Sequence, residues 1–422
     1  MKVWLVTVGE PLPIDPGSPR LLRVGLLAEF LIAAGHEVTW WSSTFDHTHK
    51  RQRVTSNKRM RLPSGLRLHL LQGHGYQKNV SFARLRDHRA LARVFAEAVR
   101  SEPRPDVILA SFPPIELGYE AARFGRAAGI PVVLDVRDLW PDTFLYAVPR
   151  VLRRIARTVL RPAFSMTFHA FALATAVTGI APPMVDWGLA KARRRRSSFD
   201  RDFPMGYPSL GANENAVEEG RKWWKETHGV VSGSGFTIVF FGSIGSTVDF
   251  EPVIDAARDL AASGVRFVLC GTGEELARLR ARAEAMENVI IPGWVDAGRI
   301  ASLLDIGDAG LAPYRNRPDY LTSYPNKVLE YLSGGLPVLS SIGGLIGDLL
   351  KTENCGIVYG ETNTRLADAI TQLQHDQARL HAMSSNARRV FSSRFSAEAV
   401  YPKMIDYLST IVKAFGINPV QR

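Results

Sequence analysis

Short apolar runs alternate with amphipathic helical segments along this chain, and the alternation begins twice. In the first half, apolar runs at residues 2–8, 38–41 and 106–110 are separated by segments of helical periodicity. The same pattern begins again at residues 236–241 and continues through residues 266–270. Strands that alternate with helices form parallel sheets, because each helix returns the chain to the same edge of the sheet. The sequence therefore predicts an α/β protein with two doubly wound parallel sheets.

A looser segment separates the two halves. Residues 199–235 contain Pro204, Gly206 and Pro208 and end in a Ser-Gly-Ser-Gly run, which is typical of a link between domains. A length of 422 residues also fits two domains of roughly 100–200 residues each. We expect an N-terminal domain over residues 1–200, a C-terminal domain over residues 201–395, and a C-terminal helix over residues 396–422 that packs back on the first domain.

The composition favours a globular protein of a reducing compartment. The apolar content of 46% and the charged content of 22% allow a sizeable core. Two cysteines, Cys270 and Cys355, exclude a disulfide scaffold. Residues 1–9 are too short and too soon polar for a secretory signal. We therefore expect a cytoplasmic protein.

The net charge of +11 calls for an anionic partner. Nucleic acid, anionic lipid and phosphorylated substrates are the candidates, and the absence of a nucleic-acid module or zinc spacing argues against nucleic acid. Neither Asp nor Glu occurs between Asp142 and Asp186, where arginines recur at helical spacing. These are Arg150, Arg153, Arg154, Arg157 and Arg161. The pattern predicts an interfacial helix on the inner face of the plasma membrane, although a solvated helix face would show the same pattern.

Residues 319–340 hold the most informative stretch of the second half. Pro325 favours the start of a short helix, and Gly334 with Gly335 favours its end. Lys327 in the first turn opposes the helix dipole, which an anion beside it would explain. Glu330 lies one turn further on, within reach of a neutral polyol such as a ribose. An ordinary surface helix would also fit these residues.

Two glycine-rich loops follow the first strands of the second half. Gly242, Ser243 and Gly245 follow residues 236–241, and Gly271 and Gly273 follow residues 266–270. Glycines allow a ligand to approach the backbone closely. The full dinucleotide fingerprint is absent, because Leu276 occupies the place of its third glycine.

Two polar regions of the first half adjoin predicted strand ends, where ligands of open α/β sheets bind. The first is the loop with Gly17 and Arg20 that leads to Arg23. The second is Asp135-Val-Arg-Asp-Leu-Trp-Pro-Asp142, which follows a buried strand. This second cluster predicts either a salt-bridged structural corner or a site that holds an acceptor hydroxyl.

These halves, glycine loops and a Pro-Asn-Lys-x-x-Glu helix resemble the GT-B glycosyltransferases, and most closely their retaining family four. Three N-terminal motifs are similar to those of the WbuB-like L-fucosamine transferases of bacterial surface-polysaccharide assembly. They are Val8-Gly-Glu-Pro-Leu-Pro-Ile14, Gly35-His-Glu-Val-Thr-Trp-Trp41 and Asp135-Val-Arg-Asp-Leu-Trp-Pro-Asp142. The resemblance implies two Rossmann-like domains that face a cleft and a nucleotide sugar, UDP-linked by the weight of the family, bound to the C-terminal domain.

The resemblance also implies site residues. The expected donor-binding residues are Gly242, Ser243, Gly245, Gly271, Gly273, Val295, Tyr314, Ser323, Asn326, Lys327 and Glu330. The expected catalytic residues are Asp138, Arg137 and Lys327, and the expected acceptor-side residues are Gly17, Arg20, Arg23 and Asp138. Glu330 matches the family glutamate that holds the ribose hydroxyls.

Two positions depart from the family. The first signature glutamate is replaced by Thr322, and the basic pair after the first C-terminal strand is missing, since residues 242–252 contain neither Lys nor Arg. We therefore expect Lys327 and the helix N-terminus to hold the leaving diphosphate, without a metal ion and without a cofactor. The family implies transfer of a hexosyl-type sugar with retention, and the fucosamine transferases point to an N-acetylated amino or deoxyamino sugar. The implied acceptor is a polyprenyl-diphosphate-linked or other glycan.

Two other functions are compatible with the same pattern. A nucleotide-sugar 2-epimerase has the same architecture and would convert the donor without any acceptor. A nucleotide-sugar-binding subunit that has lost catalysis would explain Thr322 and the missing basic pair.

Overall fold

The computed structural model describes residues 1–17, 19–79, 81–146, 148–208, 214–360 and 364–416, with Asp319 described by its backbone alone. The chain divides into two compact units. The N-terminal unit comprises Met1–Pro204 and Val400–Arg422, and the C-terminal unit comprises Met205–Ala399. The last six residues of the predicted C-terminal helical segment, 417–422, lie outside the described residues.

The N-terminal unit contains a sheet with the strand order β10-β9-β8-β7-β1-β2-β6-β5. All neighbours in it are parallel except β5 and β6. The short β3 and β4 form a separate antiparallel ribbon. The strands are β1 (Lys2–Val6), β2 (Glu37–Ser43), β3 (Phe45–Asp46), β4 (Arg51–Gln52), β5 (Lys58–Arg61), β6 (Arg67–Leu71), β7 (Val107–Phe112), β8 (Val132–Val136), β9 (Ala176–Gly179) and β10 (Arg201–Asp202).

Helices cover both faces of this sheet, so its central strands are buried along their whole length. Every residue of β7 and β8 is buried, as expected for parallel strands with helices on both faces. The helices are α1 (Arg23–Ala33), α2 (Phe82–Ala98), α3 (Ile115–Ala128), α4 (Asp142–Tyr146), α5 (Arg153–Val159), α6 (Arg161–Leu173) and α7 (Pro182–Ala192). The unit is completed by most of α17 (Ala397–Ala414), whose Tyr407 hydroxyl donates to the Phe199 carbonyl over 2.8 Å.

The C-terminal unit contains a fully parallel sheet with the order β13-β12-β11-β14-β15-β16. The strand order reverses between β11 and β14, which is the switch point where ligands of such sheets bind. The strands are β11 (Phe236–Phe241), β12 (Val265–Cys270), β13 (Val289–Gly293), β14 (Ala309–Ala312), β15 (Val338–Ser340) and β16 (Gly356–Val358). The helices are α8 (Glu214–His228), α9 (Glu251–Asp259), α10 (Leu276–Ala283), α11 (Ala297–Ile306), α12 (Pro318–Leu321), α13 (Asn326–Gly334), α14 (Gly344–Thr352), α15 (Leu366–His375) and α16 (Gln377–Val390).

The two units confirm the predicted α/β class with two doubly wound sheets, but two local expectations were wrong. Part of the segment interpreted as a link is the helix α8, which packs on α11. Gly220 makes this possible, because a Cβ there would lie 2.8 Å from the Gly298 carbonyl oxygen. The Trp224 side chain is fully buried, and its indole N–H donates to the Arg299 carbonyl. α8 is therefore part of the core of the C-terminal unit.

The arginine-rich segment is not one continuous helix as predicted. It consists of a short 3₁₀ turn, Arg150–Leu152, followed by α5 and then by α6, with Pro162 in the first turn of α6. None of the residues of α5 is buried. No helix in the described part of the chain is long and apolar enough to span a membrane.

Candidate functional site

The helix α13 lies at the centre of the candidate site. Pro325 caps it at φ −62°, so the helix begins at Asn326, and Gly335 ends it at φ +75°. The predicted left-handed end is confirmed, and Pro325 lies just outside the helix rather than in its first turn. One face of α13 is buried and carries Val328, Leu329, Tyr331 and Leu332.

Tyr331 fixes this helix over the switch point of the sheet. Its hydroxyl donates to the Leu311 carbonyl on β14 over 3.1 Å and accepts from the Phe241 amide on β11 over 3.4 Å. Gly310 on β14 allows the ring to lie close, because a Cβ there would overlap it. The first turn of α13 is thereby held beside the carboxyl ends of β11 and β14.

Lys327 projects from that first turn into the switch point. Its ammonium nitrogen lies 3.9 Å from the ring centre of Phe240 on β11 and 5.1 Å from that of Tyr314 after β14. A Cβ at Gly242 would lie 3.1 Å from the same nitrogen, so the ammonium rests against the loop that follows β11. The resembled family carries a basic pair in this loop, and this chain has neither Lys nor Arg there.

The surroundings of Lys327 disfavour its charge. Burial lowers the pKa of Lys327 to about 7, and the carboxylate of Glu330 opposes this effect. In the described part of the chain, no carboxylate lies within ion-pair distance of its ammonium. Aromatic ring faces stabilise a cation less than a carboxylate does, so an arriving anion would find this ammonium without a competing ion pair.

Glu330 lies on the next turn of α13 and is held by a residue that sequence reasoning missed. The hydroxyl of Tyr207 donates to Glu330 Oε1 over 2.6 Å. Tyr207 is buried, and its backbone pairs with the segment around Ser396. The two side chains are 123 positions apart in the chain, so no local pattern could have indicated the contact.

The glycines of the two loops have a structural role of their own. The loop after β11 pairs with the loop after β12, since Ile244 N–H donates to the Thr272 carbonyl over 2.9 Å. Gly271 has φ +150°, and a Cβ there would overlap the Gly242 carbonyl. Gly273 is similarly close to the Ile244 carbonyl. Contact between the loops therefore suffices to explain Gly271 and Gly273, and their contact with a ligand stays a prediction.

The remaining predicted donor residues occupy the same edge of the sheet. Ser243 is exposed and Gly245 half-buried after β11, Val295 is buried after β13, and Asn326 is exposed at the start of α13. Tyr314 stacks on Tyr320 with ring centres 4.4 Å apart. Ser323 is half-buried ahead of the helix. Thr322, which replaces the family's first glutamate, donates to the Pro318 carbonyl over 2.8 Å.

The polar cluster of the N-terminal unit is built around Asp135 at the end of β8. Arg23 donates to its two carboxylate oxygens over 2.9 and 3.1 Å, and both side chains have 0% exposure. Burial opposes ionisation of Asp135, but Arg23 and Arg137 outweigh it and lower the pKa to about 2. The Arg23 side chain is fully buried, so an acceptor cannot contact it. The expectation that Arg23 lies on the acceptor side therefore does not fit the structure.

Arg137 and Asp138 differ in what they leave available. Arg137 is paired with Glu10 and Asp135, but its Nη2 is buried without a hydrogen-bond partner. Asp138 accepts from the Leu139 amide, the Thr143 hydroxyl and the Trp140 indole, so local donors engage both of its oxygens. Arg137 therefore retains one donor nitrogen for a ligand, whereas both acceptor oxygens of Asp138 are already engaged.

The other acceptor-side residues lie in the loop before α1. Gly17 has φ +82° and is exposed, and Arg20 is exposed as well. Their contact with an acceptor stays a prediction. Among the described residues, no group of three or more His, Cys, Asp or Glu side chains is arranged to hold a metal ion.

Comparison with known proteins agrees with this architecture. Residues 22–195 match the model of the glycosyl transferase 4-like domain, and residues 228–390 match that of the glycosyl transferases group 1. The putative colanic acid biosynthesis glycosyltransferase WcaL of Escherichia coli (strain K12) is 27% identical over 168 residues, which cover 37% of this chain and 41% of that protein. The putative teichuronic acid biosynthesis glycosyltransferase TuaH of Bacillus subtilis (strain 168) is 24% identical over 218 residues, 50% of each chain.

The chain thus spans half or less of the length of the curated relatives it matches. Among solved structures, HepE from Anabaena in complex with UDP and glucose superposes with a TM-score of 0.63. That superposition covers 97% of this chain and 100% of HepE at 16% identity, so the likeness concerns the fold. The two matched models together cover most of the chain, and the superposition shows the GT-B fold. The chain therefore belongs to the group 1 glycosyltransferases of the GT-B fold, with an N-terminal domain of the glycosyl transferase 4-like type.

Proposed function

We propose that this protein transfers a sugar from a nucleoside diphosphate sugar to a glycan acceptor during assembly of a bacterial surface polysaccharide. The observation that carries the proposal is the ammonium of Lys327 at the switch point between β11 and β14, with Glu330 on the next turn. A diphosphate beside α13 would meet this cation and the free N–H groups of the helix start. Glu330 would then accept from the ribose hydroxyls.

The names of similar proteins support the class of substrate. WcaL and TuaH are both named as putative glycosyltransferases of polysaccharide biosynthesis, and HepE has been crystallised with UDP and glucose. We therefore take UDP as the first nucleotide to test. The finer expectation, an amino or deoxyamino sugar as in the L-fucosamine transferases, stays a prediction.

In the proposed reaction, the bond between the anomeric carbon and the diphosphate breaks while a bond to the acceptor hydroxyl oxygen forms, and the hydroxyl proton passes to the departing diphosphate. Negative charge develops on the diphosphate, and donors fixed in advance toward that charge give the largest catalytic contribution in many enzymes. Lys327 supplies such a donor once the diphosphate has restored its full charge. Retention would follow from attack on the face that the leaving group vacates, and the reaction as proposed requires no metal ion.

We assign the acceptor to the N-terminal unit. Arg137 offers a buried guanidinium nitrogen without a partner, at the end of a central strand. A phosphate or sugar hydroxyl could accept from it. Asp138 would act as a positioning residue, because it orders the loop that carries Trp140.

We further propose that the protein works at an anionic membrane surface, as a peripheral protein of the inner face. Support comes from apolar side chains between the arginines that are exposed instead of packed. Val151, Ile155 and Val159 are 85%, 65% and 73% exposed. Exposed apolar groups that alternate with cations are typical of segments that lie in the headgroup region.

A nucleotide screen tests the donor proposal. Thermal shifts are measured for UDP, GDP, dTDP, ADP and CMP, with and without Mg²⁺, on the wild type and on Glu330→Ala, because a ligand that binds only the native state raises the melting temperature. We expect one diphosphate to stand out without metal and to lose its effect in the variant. No shift with any nucleotide would contradict the proposal. Conversion of the donor without an acceptor would indicate an epimerase, and tight binding without turnover would indicate an inactive subunit.

Flotation tests the membrane proposal. The wild type should float with anionic liposomes, and the triple variant Arg153→Glu, Arg154→Glu, Arg157→Glu should not, since each arginine near anionic lipid contributes about 1 kcal/mol. The matched control is charge reversal at Arg258, Arg278 and Arg365, which are exposed on the C-terminal unit. Equal flotation of both triple variants would contradict the role of the arginine-rich segment.

A further inference from the structure

The N-terminal unit contains a cavity of about 920 Å³ that none of the roles above uses. It lies between α2, the start of α3 and the start of α6, with Trp140 as part of its wall. Its volume is near the upper end of the roughly 300–1,000 Å³ that are typical of small-molecule sites. The cavity is therefore large enough for an extended ligand.

The wall of the cavity is mainly apolar. Ile115 and Trp140 are buried in it, and six further apolar side chains of its lining are half-buried. These are Leu85, Ala90, Phe144, Leu160, Ala163 and Met166. Such a wall fits a hydrocarbon chain and offers few partners to a sugar or a nucleotide.

Cations line one side of the same cavity. Arg86, Arg89 and Arg93 recur on one face of α2, and all three are exposed. Glu116 is the one carboxylate in the described lining, and it lies 3.8 Å from Arg89. Within the described ranges, no carboxylate lies within ion-pair distance of Arg86 or Arg93. The cavity therefore combines an apolar wall with uncompensated positive charge.

A fourth arginine, Arg84, lies against Trp140 of the wall and also contacts Tyr76, which is outside the lining. The guanidinium of Arg84 lies 4.7 Å from the ring centre of Trp140 and 5.4 Å from that of Tyr76. One of its nitrogens donates to the Asn79 carbonyl over 2.9 Å, while its Nε is buried without a partner. Ser81 caps α2 by accepting from the Arg84 amide, which fixes this residue at the helix start.

The flanks of the cavity are exposed and apolar. Phe82 is 90% exposed and Val159 is 73% exposed, and both line the cavity. Val159 also ends the apolar series of the arginine-rich segment. Large apolar side chains at this exposure are stabilised by contact with hydrocarbon.

We infer that this cavity binds an isoprenoid lipid diphosphate, with the hydrocarbon chain against the apolar wall and the phosphates on the arginines of α2. The inference rests on the proposed function, because it assigns a place to the lipid portion of the glycan acceptor. Charge complementarity selects the occupant: four arginines against one carboxylate suit a diphosphate head, and the single apolar cavity suits a single chain. A two-chain phospholipid is the rival occupant.

Farnesyl diphosphate is a suitable soluble probe, and its binding can be measured by isothermal titration calorimetry with inorganic diphosphate for comparison. We expect farnesyl diphosphate to bind at least tenfold more tightly than inorganic diphosphate. Ala163→Trp, which fills the cavity, should weaken farnesyl diphosphate at least tenfold. The matched control is Ala127→Trp on the exposed face of α3, which should leave binding unchanged.

A second variant keeps the inference testable if Ala163→Trp fails to fold. The double charge reversal Arg86→Glu, Arg93→Glu changes only exposed side chains and should weaken both farnesyl diphosphate and inorganic diphosphate at least tenfold. Unchanged binding in this variant or in a folded Ala163→Trp variant would overturn the inference. Displacement of farnesyl diphosphate by an equal concentration of short-chain phosphatidylglycerol would also overturn it, in favour of a phospholipid.

UDP binding separates this inference from the proposed function. The cavity variants should bind UDP like the wild type, because the donor residues lie in the C-terminal unit. UDP binding without any farnesyl diphosphate binding would overturn the cavity assignment and leave the transferase proposal intact. Farnesyl diphosphate binding to the cavity without binding of any nucleotide would support the lipid site and contradict the transferase.

Discussion

Asp135 and Lys327 both lie near the carboxyl ends of central strands, but their charges are balanced in different ways. In the N-terminal unit, the Asp135 carboxylate is fully buried against Arg23 and Arg137. In the C-terminal unit, the Lys327 ammonium lies over two aromatic rings, with no described carboxylate in ion-pair distance. The charge of Asp135 is balanced without a ligand, whereas Lys327 is a cation that a bound anion would stabilise. Similar positions in two similar sheets thus indicate a stabilising role for Asp135 and a binding role for Lys327.

The largest expected effect on stability concerns the N-terminal cluster. Asp135→Asn leaves the buried Arg23 without its carboxylate, and breaking a buried ion pair costs about 3–5 kcal/mol. The free energy of unfolding, measured by urea denaturation, should fall by that amount. The matched control is Asp255→Asn, which breaks an exposed pair with Arg258 and should cost about 0–1 kcal/mol.

The pH dependence of the same variant sharpens this prediction. The pKa of Asp135 is lowered to about 2 in the folded protein, so its contribution to stability is present above about pH 4 and is lost as the pH falls toward 2. Asp135→Asn should therefore flatten the acid limb of the stability curve. Equal stability of the variant and the wild type at neutral pH would show that the ion pair does not hold the unit together.

Lys327→Met should lower activity without lowering stability, the opposite of the effect expected for Asp135→Asn. Turnover should fall on the order of 10²–10³-fold, as on loss of one donor to a developing oxyanion. Stability should stay equal or rise, because a buried charge without a carboxylate is replaced by an apolar side chain of similar length. Lys222→Met, on the exposed face of α8, is the control for both measurements. Near-normal turnover in folded Lys327→Met would exclude the assigned role.

A smaller effect is expected at the hydroxyl that holds Glu330. Tyr207→Phe removes a hydrogen bond to a carboxylate, and such bonds contribute about 1.5–3 kcal/mol where the two groups touch directly. Because Tyr207 acts on the donor only through Glu330, the variant should raise the donor KM by a smaller factor, about 3–10-fold, with little change in kcat. In a Glu330→Gln background the same change should matter less, since the two residues act as one unit. Equal effects of Tyr207→Phe in both backgrounds would mean that Tyr207 acts independently of Glu330.

The sequence predicted the parts of this protein that depend on local pattern. The alternation of apolar runs and helical segments predicted the class of both sheets, and Gly335 marked the end of α13. The helix α8 escaped prediction although Ala216, Gly220, Trp223 and Trp224 recur at helical spacing, because the Pro, Gly and Ser residues on either side of it indicated a link. The broken arginine-rich segment was predicted as one helix because the arginine spacing continues from Arg157 to Arg161, across the break between α5 and α6.

Long-range contacts set the limit for the candidate site. Arg23 meets Asp135 across 112 positions, and Tyr207 meets Glu330 across 123. Neither contact produces a local sequence pattern from which it could be predicted. Sequence alone identified Lys327 as a cation that opposes a helix dipole, but only the fold shows that ring faces surround its ammonium.

The central claim is that Lys327 is held ready for a diphosphate, and calorimetry of UDP binding tests it most directly. The titration is carried out with EDTA at about pH 8, in two buffers of different ionisation enthalpy, on the wild type and on Lys327→Met. Because burial lowers the pKa of Lys327 to about 7, UDP should bind the wild type with uptake of nearly one proton, and its affinity should fall as the pH rises above 7. The variant should bind about 10²-fold more weakly, with no proton uptake. Equal affinity and equal proton uptake in both proteins would contradict the account.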